Sequence, residues 1–233
     1  MRLLSTALVI AAFANLTNQQ VSYDRTFATQ ALMYSSAAYC AYETVDNWSC
    51  GLPCRTNSGF TRLRRFNNVD RNTFAFTGYS SNQNRIVLSF RGTNGADLQN
   101  WMTNLNGLKS DFPGVSGAQA HRGFLNAYNA IAGNIRTELR SLISSFRTAE
   151  ILVTGHSLGG ALANLAAADI RVNIRPSNRV RVMTFGQPRP GDDNFSNWLF
   201  QQFTNVNDLI RVTHADDPVV RLPPRMMGFR HAG

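Results

Sequence analysis

A serine between two glycines is the group in this sequence best suited to chemistry. Gly155, Ser157 and Gly159 lie in the stretch EILVTGHSLGGALANLAAADI, residues 150–170. A short apolar run before the serine predicts a buried strand, and the alanine-rich segment after it predicts a helix. On a tight strand-to-helix turn the serine hydroxyl is exposed above the sheet, and glycines permit the close backbone approach that the turn requires. The stretch therefore predicts a nucleophilic Ser157, with the Leu158 N–H at a helix start as a donor to an oxyanion.

A second candidate donor follows another predicted strand. Arg91, Gly92 and Thr93 come directly after the β-rich run RIVLSF, residues 85–90. In hydrolases with a serine elbow, a loop after such a strand supplies the second oxyanion donor. The Thr93 N–H and hydroxyl are the candidates, and an ordinary turn is the alternative.

An amphipathic segment lies beyond this loop, between Gly95 and Gly107. Its apolar residues fall at helical spacing: Leu98, Trp101, Met102, Leu105 and Leu108. Such a stripe is usually ordinary core. Its place next to the candidate oxyanion loop favours a mobile lid, whose apolar face would cover the serine in water and open onto lipid.

The remaining pattern predicts an α/β fold in one domain. Strands alternate with helices after residue 120, which is typical of a parallel sheet, while two strands joined by residues 81–84 predict an antiparallel hairpin. The predicted helices are 27–40, 121–146 and 192–203, the predicted strands are 74–80, 85–90, 151–153, 179–185 and 208–214, and a surface loop covers 46–59.

Composition excludes several classes of protein. The chain has 233 residues, of which 43% are hydrophobic and 16% charged, so it is neither disordered nor fibrous. Its net charge of +9 comes almost wholly from scattered arginines, without a long basic run or an aromatic-basic RNA motif. We therefore expect no nucleic-acid partner.

The first residues, MRLLSTALVIAAFA, have a basic start, a short apolar run and a small-x-small ending. They predict a signal peptide, residues 1–14, and a secreted domain, 15–233; a buried N-terminal helix is the alternative. No later stretch is long and apolar enough for a stable membrane span.

Export gives the three cysteines a role, because thiols pair in an oxidising compartment. Cys50 and Cys54 are expected to close a small loop, which leaves Cys40 over.

Five motifs together resemble the fungal-type, or class 3, triacylglycerol lipases, a family that includes feruloyl esterases. They are GHSLGGALA, SFRGT with NW after it, HRGFLNAY, TFGQPRPGDDNF and RVTHADDPVVRLPP. The resemblance implies an α/β-hydrolase fold, with a mostly parallel central sheet flanked by helices and a short amphipathic lid. It implies Ser157 as nucleophile, Thr93 and Leu158 as the oxyanion hole, and no metal or organic cofactor. It also implies Asp217 as the triad acid, which agrees with an aspartate just past a strand; Asp216 is the near rival.

The sequence departs from this family in its histidines. A serine nucleophile needs a base, normally histidine, and the four candidates are His121, His156, His214 and His231. The resemblance implies that the catalytic histidine and a cysteine partner for Cys40 both come in later motifs. We therefore expect a domain that lacks its C-terminal part, with His231 as the alternative base.

Together these features predict a secreted serine ester hydrolase acting on acylglycerols at a lipid-water interface. A feruloyl-type or phospholipid esterase is the alternative within the class. A non-catalytic lipid-binding protein that retains the fold is the alternative from another class. The oligomeric state is left open.

Overall fold

A six-stranded sheet forms the centre of the structure, a computed structural model that describes residues 22–93 and 95–232. The proposed signal peptide, 1–14, lies outside these residues. The strands are β1 (Phe60–Asn68), β2 (Thr73–Ser80), β3 (Arg85–Phe90), β6 (Glu150–His156), β7 (Val180–Phe185) and β8 (Leu209–Val212), while β4 (Lys109–Asp111) and β5 (Gln119–His121) form a separate ribbon.

The strand order is β1-β2-β3-β6-β7-β8. The first three strands are antiparallel, and β3, β6, β7 and β8 are parallel. The predicted hairpin and the mostly parallel sheet are confirmed. Strand β1 was not predicted, because its exposed Arg62 and Arg64 interrupt the apolar pattern by which strands are recognised in a sequence.

Helices cover both faces of the sheet, so β3, β6 and β7 are buried along nearly their whole length. The main helices are α1 (Arg25–Ala37), α4 (Gly95–Asn104), α5 (Arg122–Ser145), α6 (Leu158–Asp169) and α7 (Asp193–Gln201), and α2 (Tyr42–Asp46) and α3 (Gly51–Thr56) are short. Successive residues of β6 alternate between the two layers: Ile151 and Val153 pack in the core with α5 and α6, and Leu152 packs in the core with α1. This is the α/β-hydrolase arrangement.

The cysteine prediction was wrong. The structure pairs Cys40 with Cys50, and Cys54 is a free, buried thiol. Cys50 caps α3 and Cys54 lies one turn further on, inside the helix. Side chains four residues apart on a helix have β-carbons about 5–6 Å apart, whereas a disulfide needs about 3.5–4.5 Å. The helix, in place of the predicted loop, therefore prevents the Cys50–Cys54 pairing.

No helix in the described ranges is both long and apolar enough to cross a membrane. Across the same residues, no group of three or more His, Cys, Asp and Glu side chains could hold a metal ion.

Candidate active site

Ser157 lies on the turn between β6 and α6, where the sequence predicts the elbow. Its backbone angles are φ 56° and ψ −129°, in the left-handed half of φ space that a residue with a side chain rarely adopts. The Ser157 N–H donates to the Phe185 carbonyl at 2.9 Å, and the Ser157 carbonyl accepts from the Gly160 N–H at 2.9 Å. The residue is 2% exposed, yet its hydroxyl has no hydrogen-bond partner in the described part of the chain. The turn thus holds a strained serine with an unused hydroxyl.

The two glycines of the elbow are required by backbone contacts. A β-carbon on Gly155 would overlap the Gly159 carbonyl, and one on Gly159 would overlap the Phe90 carbonyl at the end of β3. The turn, α6 and the end of β3 are therefore packed backbone against backbone, which places the Leu158 N–H at the beginning of α6.

The loop after β3 lies against the elbow. A β-carbon on Gly92 would be 3.1 Å from the Ser157 β-carbon, and would also overlap the His156 carbonyl oxygen and the Tyr39 hydroxyl. Thr93 follows directly and is half-buried. Both segments predicted to supply oxyanion donors are thus adjacent to Ser157.

Asp217, and not Asp216, faces the site. The Asp217 Oδ2 lies 3.0 Å from the position of a β-carbon on Gly186, just past the end of β7, and Oδ1 accepts from the Val219 N–H at 2.9 Å. The Asp216 side chain is 98% exposed and pairs with Arg221 at 3.2 Å. Because β7 is the neighbour of β6, Asp217 comes to the same edge of the sheet as Ser157.

A cavity of about 420 Å³ opens beside the elbow. Its apolar wall is formed by Leu105, Phe124, Ala127 and Leu158. Its polar rim includes Arg71, Asn72 and Asn106. A cavity with this volume and an apolar wall suits an organic substrate.

The predicted lid residues lie on or next to α4. Leu98 and Met102 are half-buried on the helix, and Leu105 follows it and packs against the core. The helix includes Trp101, whose side chain lies outside the described part of the structure. Leu105 therefore connects this segment to the cavity, and the opening of a lid stays a prediction.

Comparison with known proteins identifies the family. The family model for Lipase (class 3) matches residues 87–227, more than half of the chain. The chain belongs to the class 3 lipase family. It is 40% identical to secreted mono- and diacylglycerol lipase 1 of Fusarium solani over 157 residues, which cover 67% of this chain and 45% of that protein. The chain spans about half the length of the curated relatives it matches.

Solved structures of lipases have the same fold. Lipase II from Rhizopus niveus matches with a TM-score of 0.80 at 29% identity, over 88% of this chain and 77% of that one. A triacylglycerol lipase whose catalytic centre is described as a serine protease triad also matches with a TM-score of 0.80, at 28% identity over 89% of this chain and 77% of the other.

In a complete triad a histidine hydrogen-bonds the serine hydroxyl, and this contact is missing among the described residues of this class 3 family member. All four histidines are described, and none hydrogen-bonds the Ser157 hydroxyl. His121 caps α5 by accepting from the Phe124 N–H at 3.3 Å, and burial lowers its pKa. His214 is exposed, and its backbone carbonyl accepts from the Asp217 N–H at 3.1 Å.

His231, the alternative base, is held elsewhere. Its Nε2 lies 2.9 Å from the Val220 carbonyl oxygen. Burial lowers its pKa to about 4, and the positive charge of Arg211 acts in the same direction. A triad histidine must become positively charged next to a carboxylate. The surroundings of His231 disfavour that charge.

Two contacts at the site have no clear signal in the sequence. Tyr39 reaches the elbow from the loop after α1, and the imidazole of His156 borders Gly186 together with Asp217. Burial lowers the His156 pKa, and the Asp217 carboxylate opposes this effect. Because Tyr39 and His156 are 117 residues apart in the chain, no local pattern predicts their contact. The predicted helix 27–40 indicated only that the N-terminal segment packs on the rest of the domain.

Proposed function

We propose that this chain is the nucleophile-bearing part of a secreted carboxylic-ester hydrolase that acts on acylglycerols. The observation that carries the proposal is the Ser157 turn, a strained backbone with a free hydroxyl next to a cavity. Backbone strain of this kind is retained where the surrounding structure serves function. The named activities of the relatives agree with it.

In this proposal Ser157 attacks the ester carbonyl carbon and its proton passes to an imidazole. Asp217 orients that imidazole and stabilises its positive charge. The negative charge that develops on the carbonyl oxygen is stabilised by the Leu158 N–H and by Thr93. The alkoxide leaving group takes the proton from the imidazolium, and water then hydrolyses the acyl-enzyme by the same route.

We infer that the imidazole is not one of the four histidines of this chain. Each has another position or another partner, and the Ser157 hydroxyl has none among the described residues. Asp217 instead borders His156, which leaves the acid and the nucleophile without a base between them. Hydrolysis by this chain alone should consequently be slow.

The cavity supports an acyl substrate. Its wall of Leu105, Phe124, Ala127 and Leu158 includes the residue that follows the nucleophile, so it is placed to receive the acyl chain of the ester. The polar rim suits the alcohol part of the substrate. The same polar rim could also accommodate a phospholipid or a feruloyl ester, which are the alternatives within the class. The absent base keeps a non-catalytic lipid-binding protein as the alternative from another class.

Chemical rescue with free imidazole tests the proposal. Because the Ser157 hydroxyl is buried, an added small base has to displace neighbouring groups to reach it; when it does, hydrolysis should rise in proportion to the imidazole concentration. The Ser157→Ala variant should show no such increase, and His231→Gln should behave like the unaltered chain. Absence of both rescue and fluorophosphonate labelling of Ser157, in folded protein, would favour the lipid-binding alternative.

Substrate choice is tested with the same imidazole-supported assay. Emulsified monoacylglycerol or diacylglycerol is expected to react faster than a soluble short-chain ester or a methyl ferulate. A higher rate on the ferulate would instead assign the chain to the feruloyl esterases. Secretion is tested by N-terminal sequencing of exported protein, which should begin at Asn15.

A further inference from the structure

The Tyr39 hydroxyl links the two segments that carry the proposed oxyanion donors. It accepts from the Gly92 N–H at 3.1 Å, on the loop that leads into Thr93. It also lies 2.9 Å from the His156 Nδ1, on the residue before Ser157. Tyr39 itself comes from a third segment, just beyond the end of α1. One hydroxyl therefore connects three parts of the chain at the site.

The direction of the Gly92–Tyr39 hydrogen bond is fixed by its donor, and that of the Tyr39–His156 bond depends on the His156 tautomer. The Gly92 amide can only donate, so the Tyr39 oxygen accepts there. Depending on the His156 tautomer, the hydroxyl either donates to His156 Nδ1, or accepts from it and donates to the His156 carbonyl oxygen at 3.4 Å. Burial raises the pKa of Tyr39 to about 12, so the proton is present throughout the neutral range. A histidine that accepts at Nδ1 carries its proton on Nε2 when neutral, and this Nε2 borders Gly186 next to the Asp217 carboxylate.

The packing around Gly92 gives this link little freedom. A β-carbon at position 92 would overlap both the Tyr39 hydroxyl and the His156 carbonyl. The Thr93 amide belongs to the peptide group that begins at the Gly92 carbonyl, so the orientation of Gly92 limits where the Thr93 N–H can point. We propose that Tyr39 is a positioning residue that holds the Gly92-Thr93 loop against the Ser157 turn, so that both oxyanion donors point at one place. This proposal rests on the proposed function.

The kinetic test compares Tyr39→Phe with Tyr79→Phe. Tyr79 is a matched control, because its hydroxyl donates to Asn84 at 3.0 Å on the turn after β2, far from the elbow in the sheet. In the imidazole-supported assay, Tyr39→Phe should lower kcat about 10-fold and leave KM unchanged, because misplaced donors weaken only transition-state binding. Tyr79→Phe should match the unaltered chain. A Tyr39→Phe variant with unchanged kcat, or with a change in KM alone, would overturn the proposal.

A second measurement separates this proposal from the proposed function. Hydrogen exchange of the Gly92 amide, followed by NMR in the full chain, should be about 5-fold faster in Tyr39→Phe, since one hydrogen bond is lost. The ring nitrogen resonances of His156 should shift in the same variant and not in Tyr79→Phe. If no variant and no imidazole concentration gives hydrolysis, the proposed function fails. The link through Tyr39 is then judged by exchange alone, and equal Gly92 exchange in the two variants refutes it.

Discussion

The nucleophile at one end of the parallel sheet and the carboxylates at the other end differ in how they are paired. At the carboxyl ends of β3 and β6, Ser157 has a strained backbone and a buried hydroxyl without a partner in the described residues. At the amino ends, Glu150 lies between Arg85 at 2.5 Å and Arg181 at 3.8 Å. Asp208 continues this network to Arg179 at 2.6 Å.

The amino-end network is also packed against an aromatic ring. The guanidinium groups of Arg85 and Arg181 lie 4.8 Å and 3.4 Å from the centre of the Phe27 ring. The two ends of the sheet therefore serve different roles, one in chemistry and one in stability. The nucleophile is strained and unpaired where substrate would bind, whereas the carboxylates at the opposite end are paired with arginines.

The largest expected effect is at the carboxyl end. Ser157→Ala should lower imidazole-supported hydrolysis by a factor of about 10³ or more, because the nucleophile is lost. The same change should leave the free energy of unfolding unchanged or raise it by about 1 kcal/mol, because an unpartnered buried hydroxyl is removed. Urea denaturation and ester hydrolysis measure both. A clear loss of stability would show that the hydroxyl has a structural partner.

At the amino end the expectation is reversed. Glu150→Gln should leave hydrolysis unchanged but lower the free energy of unfolding by about 3 kcal/mol, because two largely buried arginines lose their carboxylate. Asp216→Asn, at a fully solvated pair, is the stability control and should show no measurable change. Equal effects of the two substitutions would remove the contrast between the ends.

The Thr93 side chain is a smaller test of the carboxyl end. Thr93→Val keeps the shape and the N–H but removes the hydroxyl, and we expect kcat to fall about 10²-fold with little change in KM. A rise in KM without a fall in kcat would instead assign Thr93 to substrate binding only.

The last prediction concerns acid. Because the folded-state pKa of His231 is about 4 and an unfolded histidine titrates near 6.5, its contribution to stability is present above about pH 6.5 and is lost as the pH falls toward 4. The loss should be on the order of 2 kcal/mol for this partly buried ring. His231→Gln should flatten the stability profile over that range relative to the unaltered chain. Identical profiles would mean that His231 is solvated in solution.

The Ser157 elbow was predictable from sequence because its requirements are local. The glycine spacing, the apolar strand and the alanine-rich helix are contiguous, and strand geometry places the hydroxyl at the sheet edge. The five motifs carry a resemblance to the class 3 lipases, and that resemblance implied the α/β-hydrolase fold.

Contacts between distant segments were decided only by the tertiary structure. The Cys40–Cys50 pairing depends on a short helix that the loop-like composition of residues 46–59 conceals. The Tyr39 contact depends on where α1 packs, and the isolation of His231 depends on its Val220 and Arg211 neighbours. Local pattern fixes the direction of a strand and its turn, but the packing of separate elements determines which side chains meet.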